Sequence, residues 1–152
     1  MAYVSRDDVE TGCIFCAAAE GGKATLTLAQ GERCFALLNR FPYTTGHVMV
    51  APRVHTGDVT ALATDDLVAM MAMAQRMVAV LTEVYRPHGF NLGMNQGEAA
   101  GAGIVDHVHL HLVPRWRGDT NYMSTTGGVR VLPEDLDDTW SRLRVALEVC
   151  RD

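Results

Sequence analysis

The residues whose types and spacing could do chemistry are concentrated in Asp106-His107-Val108-His109-Leu110-His111-Leu112-Val113-Pro114-Arg115. Three of the chain's six histidines fall here at alternate positions, separated by aliphatic residues. In an extended strand, successive side chains point to opposite faces. His107, His109 and His111 would then share one face, and Val108, Leu110 and Leu112 the other. Pro114 is expected to end the strand, since it cannot donate to a ladder. Imidazole is the side chain that changes role near neutral pH, as base, nucleophile or metal ligand. The middle histidine, His109, is best placed for a nucleophile, because neighbours on both sides shield and orient it. The stretch Gly97-Glu98-Ala99-Ala100-Gly101-Ala102-Gly103 leads directly into this strand. Its small residues leave backbone N–H groups open to a phosphate, although a plain turn would read the same. No Gly-Lys-Ser/Thr follows, so it is not a P-loop.

The elements that must hold this strand can be read in outline. Ala24–Leu28, Cys34–Leu38, His47–Pro52 and Phe90–Met94 read as strands. Asn39 to Gly46 is a connection punctuated by Asn, Pro and Gly. Thr64 opens the clearest helix, with Asp65 and Asp66 in its first turn, where the helix dipole favours anions. Leu67, Met70, Met71, Ala74, Met77, Leu81, Val84 and Tyr85 build its core face, and Pro87 and Gly89 end it. Residues 115–128 read as a long irregular loop. A last helix spans about 133–150, with Leu136, Trp140, Leu143 and Leu147 on one side. This order predicts an α+β fold: an antiparallel sheet of about five strands, a long central helix and a C-terminal helix, with helices on one side. At 152 residues one domain is expected, with its core at about 13–117 and a C-terminal loop and helix at 118–152.

Composition narrows the function. Hydrophobic residues at 48% and charged residues at 20% are those of an ordinary globular chain. A formal net charge of −5 argues against a nucleic-acid partner, since no basic stripe is available for a phosphate backbone. The most apolar segment, Leu67 to Leu81, carries Gln75 and Arg76 and is too short for a membrane span. The N-terminus lacks the pattern of a signal peptide. Cys13, Cys16, Cys34 and Cys150 therefore read as thiols or ligands in a cytoplasmic protein. Cys13-x-x-Cys16 has zinc-ligand spacing but makes only half a site.

His-Val-His-Leu-His-Leu-Val resembles the signature of the histidine triad family, in which three histidines alternate with hydrophobic residues. Asn39 followed by Gly46-His47-Val48-Met49-Val50-Ala51-Pro52, and Asn95-Gln96-Gly97, resemble two further segments of that family. The resemblance covers about residues 13–117. It implies an α+β domain that dimerises through its sheet and acts on a small-molecule nucleotide, with no organic cofactor. His109 would attack the α-phosphorus and form a nucleotidyl-histidine, which water or phosphate would then resolve. His47 and His111 would support and orient the reacting groups. Asn39 would contact the ribose, and Asn95 the phosphate side. With the loop read as a phosphate cradle, His111 and the amides of Gly101 and Gly103 are candidates to hold the phosphate, as are Arg115 and Arg117, which read equally as solvated loop charges. Trp116 would stack on a base or pack in the core.

The family usually has Gly-Gln-Ser/Thr just before the triad strand, whereas this chain has Gly101-Ala102-Gly103-Ile104-Val105-Asp106. A side-chain amide and a hydroxyl are missing there, and one residue is added. The continuation Trp116-Arg117-Gly118-Asp119-Thr120-Asn121-Tyr122-Met123 resembles a branch of diadenosine tetraphosphate phosphorylases and Fhit-like dinucleoside polyphosphate hydrolases. Hydrolysis of nucleoside phosphoramidates or adenylates ranks lower, as does a nucleotide-binding signalling module with vestigial catalysis. Zinc-bearing relatives add to the Cys-x-x-Cys pair a histidine after the Gly-His strand and the first triad histidine. The matching positions here are His55 and His107, which implies a structural zinc on Cys13, Cys16, His55 and His107. His88, between Pro87 and Gly89, reads as a surface turn residue.

Overall fold

The computed structural model describes residues 12–120 and 134–149. The strands form one antiparallel sheet of five: β1 (Thr27–Gln30), β2 (Cys34–Leu38), β3 (Val48–Pro52), β4 (Gly89–Met94) and β5 (Leu110–Arg115). Their spatial order is β1-β2-β3-β5-β4, so β5 is inserted between β3 and β4. Helix α1 is Ile14–Ala18, α2 is Thr64–Tyr85 and α3 is Leu136–Val149.

One face of the sheet carries Ala36, Leu38, Val48, Val50, Leu110 and Leu112 into the main core, with Met70, Met73, Ala74, Met77, Val80 and Leu81 of α2 and Leu143 and Leu147 of α3. The other face packs Phe35, Leu37, Met49 and Ala51 under Phe15 and Ala18 of α1. Both long helices therefore cover one side, as expected. The short α1 covers the other, because Phe15 and Ala18 supply apolar surface that a five-residue helix could not bury alone.

Several expectations need correcting. Met71 is 54% exposed, because the apolar stripe of α2 runs through Met70, Met73, Met77 and Val80 and leaves position 71 about 100° away. At 22 residues α2 has the length of a membrane span, more than the Leu67–Leu81 segment offered. Its apolar face covers the sheet and α3 instead. The helix starts where the Asp66 carboxylate accepts from Ala63 N–H at 3.2 Å. It stops at Arg86, whose left-handed φ of 47° precedes Pro87.

The first strand lies later than expected. Lys23–Thr25 form a 3-10 turn and Leu26 is left-handed (φ 58°), so pairing begins at Thr27. The triad strand also begins later, at Leu110, and it continues through Pro114 to Arg115. Pro114 is tolerated because its carbonyl, and hence its nitrogen, faces away from β4. That carbonyl accepts from Thr44 Oγ1 at 2.9 Å, beyond the point where β3 pairing has stopped at Leu112.

Candidate active site and metal centre

Pairing register places the histidines. His111 lies opposite Met49 of β3 and Gly93 of β4, on the face away from α2. His107 and His109 precede the ladder, but alternation persists: Val108 is in the main core, while His107 and His109 pack against Phe15 of α1. Their backbone is held by a different device. Val108 N–H donates to Thr56 O at 2.7 Å, tying the approach to β5 onto the segment that leaves β3. Gly57 makes that crossing feasible, since a Cβ there would lie 2.2 Å from Val105 O. Gly57 was not singled out from sequence. A glycine two residues after His55 carries no signal until the crossing is known.

The hydrogen bonds assign each ring. His109 is buried, and its Nδ1 lies 2.9 Å from His107 O, so Nδ1–H donates and Nε2 keeps its lone pair. His47, fully buried just before β3, accepts from Tyr43 N–H at Nδ1 (3.1 Å). Its proton is then on Nε2, which lies 2.9 Å from His111 Nδ1. His111 accepts there and carries its own proton on Nε2. His109 and His111 meet edge to face, with ring centroids 4.7 Å apart. Burial disfavours the charged ring, so His109 titrates below the usual histidine range. His111 is pushed down to about 4, by burial first and then by neighbouring His109. The arrangement provides one neutral ring with a free lone pair beside another with an outward N–H donor.

Four ligand atoms, one each from Cys13, Cys16, His55 and His107, lie within 4.8 Å of one another. Cys13 Sγ and Cys16 Sγ lie 3.3 and 3.8 Å from His107 Nδ1, and Cys16 Sγ lies 3.3 Å from His55 Nδ1. His107 Nε2–H donates to Pro52 O at 2.9 Å, which leaves Nδ1 as the ligand nitrogen. Adjacent corners of a tetrahedral Cys₂His₂ zinc centre are roughly 3.5 Å apart, so the donor types and their spacing are consistent with a zinc ion. Phe15 sits between the two cysteines in sequence and packs, tilted, against His107 and His109 with ring centroids 5.1 and 4.6 Å apart.

The other expected residues are less uniformly gathered. Asn39 follows β2 beside His47, its N–H donating to His47 O, while its side chain accepts from Phe41 N–H at 2.9 Å. Asn95 follows β4 and is partly buried. Gly101 (φ +84°) and Gly103 lie in the exposed loop that leads to the triad, and a Cβ at either would meet nothing. Neighbouring Gln96 is committed to the 58–60 turn, accepting from Val59 N–H at 3.0 Å and donating to Asp58 Oδ1 at 3.2 Å. Arg115 is not available as a phosphate ligand. Its guanidinium donates to both Asp119 oxygens (2.6 and 2.8 Å), to Asn91 Oδ1 (2.7 Å) and to Thr120 Oγ1 (3.0 Å). Arg117 is exposed. Trp116 is partly buried and outside both core clusters, its N–H donating to Asp119. His88 is exposed, and its Nδ1 accepts from Arg117 N–H at 2.9 Å. Residues 121–133 and Cys150 lie outside the described residues.

A five-stranded antiparallel sheet carrying alternating histidines on the face away from its long helices defines a histidine triad protein. A HIT domain model matches residues 22–118, and the chain belongs to that family. It is 41% identical over 114 residues to an AP-4-A phosphorylase of Mycobacterium tuberculosis, across 75% of this chain and 58% of the relative. The chain thus spans little more than half the length of that relative. Among solved structures it resembles a Zn-bound histidine triad family protein from Mycobacterium smegmatis, with 32% identity, TM-score 0.74, and 91% of this chain and 94% of that one covered. A diadenosine triphosphate hydrolase from Plasmodium falciparum shares the fold at TM-score 0.68 and 15% identity, over 84% of this chain and 79% of that one.

Proposed function

We propose that the chain is a nucleotidyl transferase or hydrolase that cleaves dinucleoside polyphosphates of the diadenosine tetraphosphate kind, with His109 as nucleophile. The observation that carries this is the fixed tautomer of His109, a neutral buried ring whose Nδ1–H is held by His107 O and whose Nε2 is free to attack. The name of the M. tuberculosis relative supports the substrate class.

In the first step the Nε2 lone pair forms a bond to the α-phosphorus, and the bond to the bridging oxygen breaks. The electron pair leaves with the remaining polyphosphate nucleotide. A polyphosphate is a good leaving group, so no proton has to reach it. His109 becomes cationic on phosphorylation, and the His107 carbonyl against its Nδ1–H stabilises that charge. His111 Nε2–H donates to a phosphate oxygen, with its direction set by the chain Tyr43 N–H, His47, His111. In the second step an oxygen of inorganic phosphate or of water attacks phosphorus, the P–N bond breaks with its pair returning to Nε2, and an attacking water gives up its proton to solvent. Phosphate as acceptor gives ADP and ATP from diadenosine tetraphosphate; water gives AMP and ATP. Asn39, Asn95 and the Gly101–Gly103 backbone are proposed to hold the ribose and phosphates, and Trp116 a base.

Zinc is the proposed occupant of the Cys13, Cys16, His55 and His107 centre, where it would play a structural part. When bound it cross-links α1, the segment after β3 and the approach to β5. The chain's own residues then keep Phe15 and the His107 carbonyl against His109. A homodimer is proposed through β4. The opposite edge of the sheet is closed, because Trp140 Nε1–H and Arg144 donate to Thr27 O and Leu28 O at 2.9 and 2.7 Å. β4 remains an edge strand, exposed in its middle. The test of the catalytic reading is whether diadenosine tetraphosphate is turned over by the wild type and not by His109→Ala.

A further inference from the structure

We propose that Tyr43 is a positioning residue for the histidine pair: its backbone fixes the tautomer of His47, and its ring covers the His47–His111 hydrogen bond. The inference rests on the catalytic reading above only for what the pair does, not for the geometry. Two separate contacts carry it. Tyr43 N–H donates to His47 Nδ1 at 3.1 Å, which places the His47 proton on Nε2, against His111. The Tyr43 ring lies over both imidazoles, 4.6 Å from His47 and nearly parallel to His111 at 6.0 Å. One residue therefore sets the direction of the hydrogen-bond chain and shields it from water.

The sequence places Tyr43 between Pro42 and Thr44, in a turn anchored at both ends. Thr44 Oγ1 donates to Pro114 O at 2.9 Å, and His47 N–H donates to Thr44 O at 3.2 Å. Tyr43 is 47% exposed, so its ring forms the outer wall of the pair and is no part of the core. Among the described residues, His111 faces His47 and Tyr43 from this turn, Met49 from β3, Gly93 from β4 and His109 from its own strand. None of the neighbours on β3 or β4 is charged. Removing the ring exchanges an apolar cover for water, which favours the protonated form of His111.

The test reads ring nitrogens directly, on protein labelled at histidine and without substrate. Long-range ¹H–¹⁵N spectra are recorded from pH 8 to 4 for wild type, Tyr43→Phe and Tyr43→Ala, with His47→Asn and His111→Asn giving the assignments. The expected result is an Nε2–H tautomer for His47 in wild type and a His111 midpoint at least one pH unit higher in Tyr43→Ala. Tyr43→Phe should restore the wild-type midpoint, since the ring and not the hydroxyl does the covering. Turnover of diadenosine tetraphosphate should show kcat lower by about tenfold in Tyr43→Ala with KM within about twofold. Should Tyr43→Ala lose its native spectrum, Tyr43→Leu is read in its place. Unchanged His111 titration would overturn the proposal, as would an Nδ1–H tautomer for His47. A rise in KM alone would also overturn it, making Tyr43 a substrate contact. If the wild type turns over no dinucleotide, the catalytic reading fails while the spectra still decide the role of Tyr43.

Discussion

A nucleophilic histidine, the role proposed for His109, must be neutral and oriented, and three contacts serve those needs here. His107 O accepts a hydrogen bond from His109 Nδ1–H, Phe15 packs on its ring, and His111 stands at its edge. The cost is paid in proton affinity, which can be measured. The midpoint of His111 is about 4 in the fold, against about 6.5 in an unfolded chain. Between those values the unfolded state binds more protons, so stability rises with pH across this window. Full stability is expected above about pH 6.5, with loss as the pH falls toward about 4. His109 titrates low for the same reason, burial, and steepens the decline. Thermal melts by circular dichroism from pH 8 to 4.5 should show Tm falling on the acid side. His111→Asn should flatten part of that slope, and an unchanged slope would remove His111 from the cause.

At the scale of elements, the sheet exists to bring two loops onto one strand end. The segment after β3 supplies His55, and the approach to β5 supplies His107; Gly57 lets them cross. Gly57→Ala should cost about 1–3 kcal/mol, because its Cβ would meet backbone rather than a side chain that can move. Cys16→Ser should lower bound zinc well below about one per chain and reduce Tm, measured by elemental analysis and melting. Met77→Ala, in the fully buried stripe of α2, should cost about 2–5 kcal/mol in urea unfolding without altering the metal centre. Much of this frame was legible in the sequence, for physical reasons. β2 is an unbroken apolar run, α2 has a strong 3.6-residue period, and the triad alternates strictly. The signals that failed were local ones overridden by distant partners. His107-Val108-His109 reads as strand, yet its bonds go to Pro52 O and Thr56 O rather than to a ladder. Arg115 reads equally as a phosphate ligand or as a solvated loop charge, and Asp119 four residues later pairs with it. Helix α1 was missed because five residues carry too little periodicity to detect.

At the scale of the whole molecule, the sheet has, among the described residues, one closed edge and one open one, and the proposed dimer uses the open one. The pairs of β4 with β5 leave the N–H groups of Phe90, Leu92 and Met94 directed outward, since Phe90 lies opposite Pro114. A proline at position 92 removes one outward donor and leaves the ladder to β5 intact. Light scattering should therefore report a dimer for wild type and a shift toward monomer for Leu92→Pro; a wild-type monomer would contradict the assembly. The net charge of −5 places the demands of an anionic substrate on local groups rather than on the overall field. That returns the account to one nitrogen atom. The most direct measurement is a product assay with diadenosine tetraphosphate, with and without inorganic phosphate, for wild type and His109→Ala. The account expects turnover by wild type, giving ADP and ATP if phosphate is the acceptor or AMP and ATP if water is, and loss of at least about 1,000-fold in His109→Ala. Undiminished turnover by His109→Ala would contradict it.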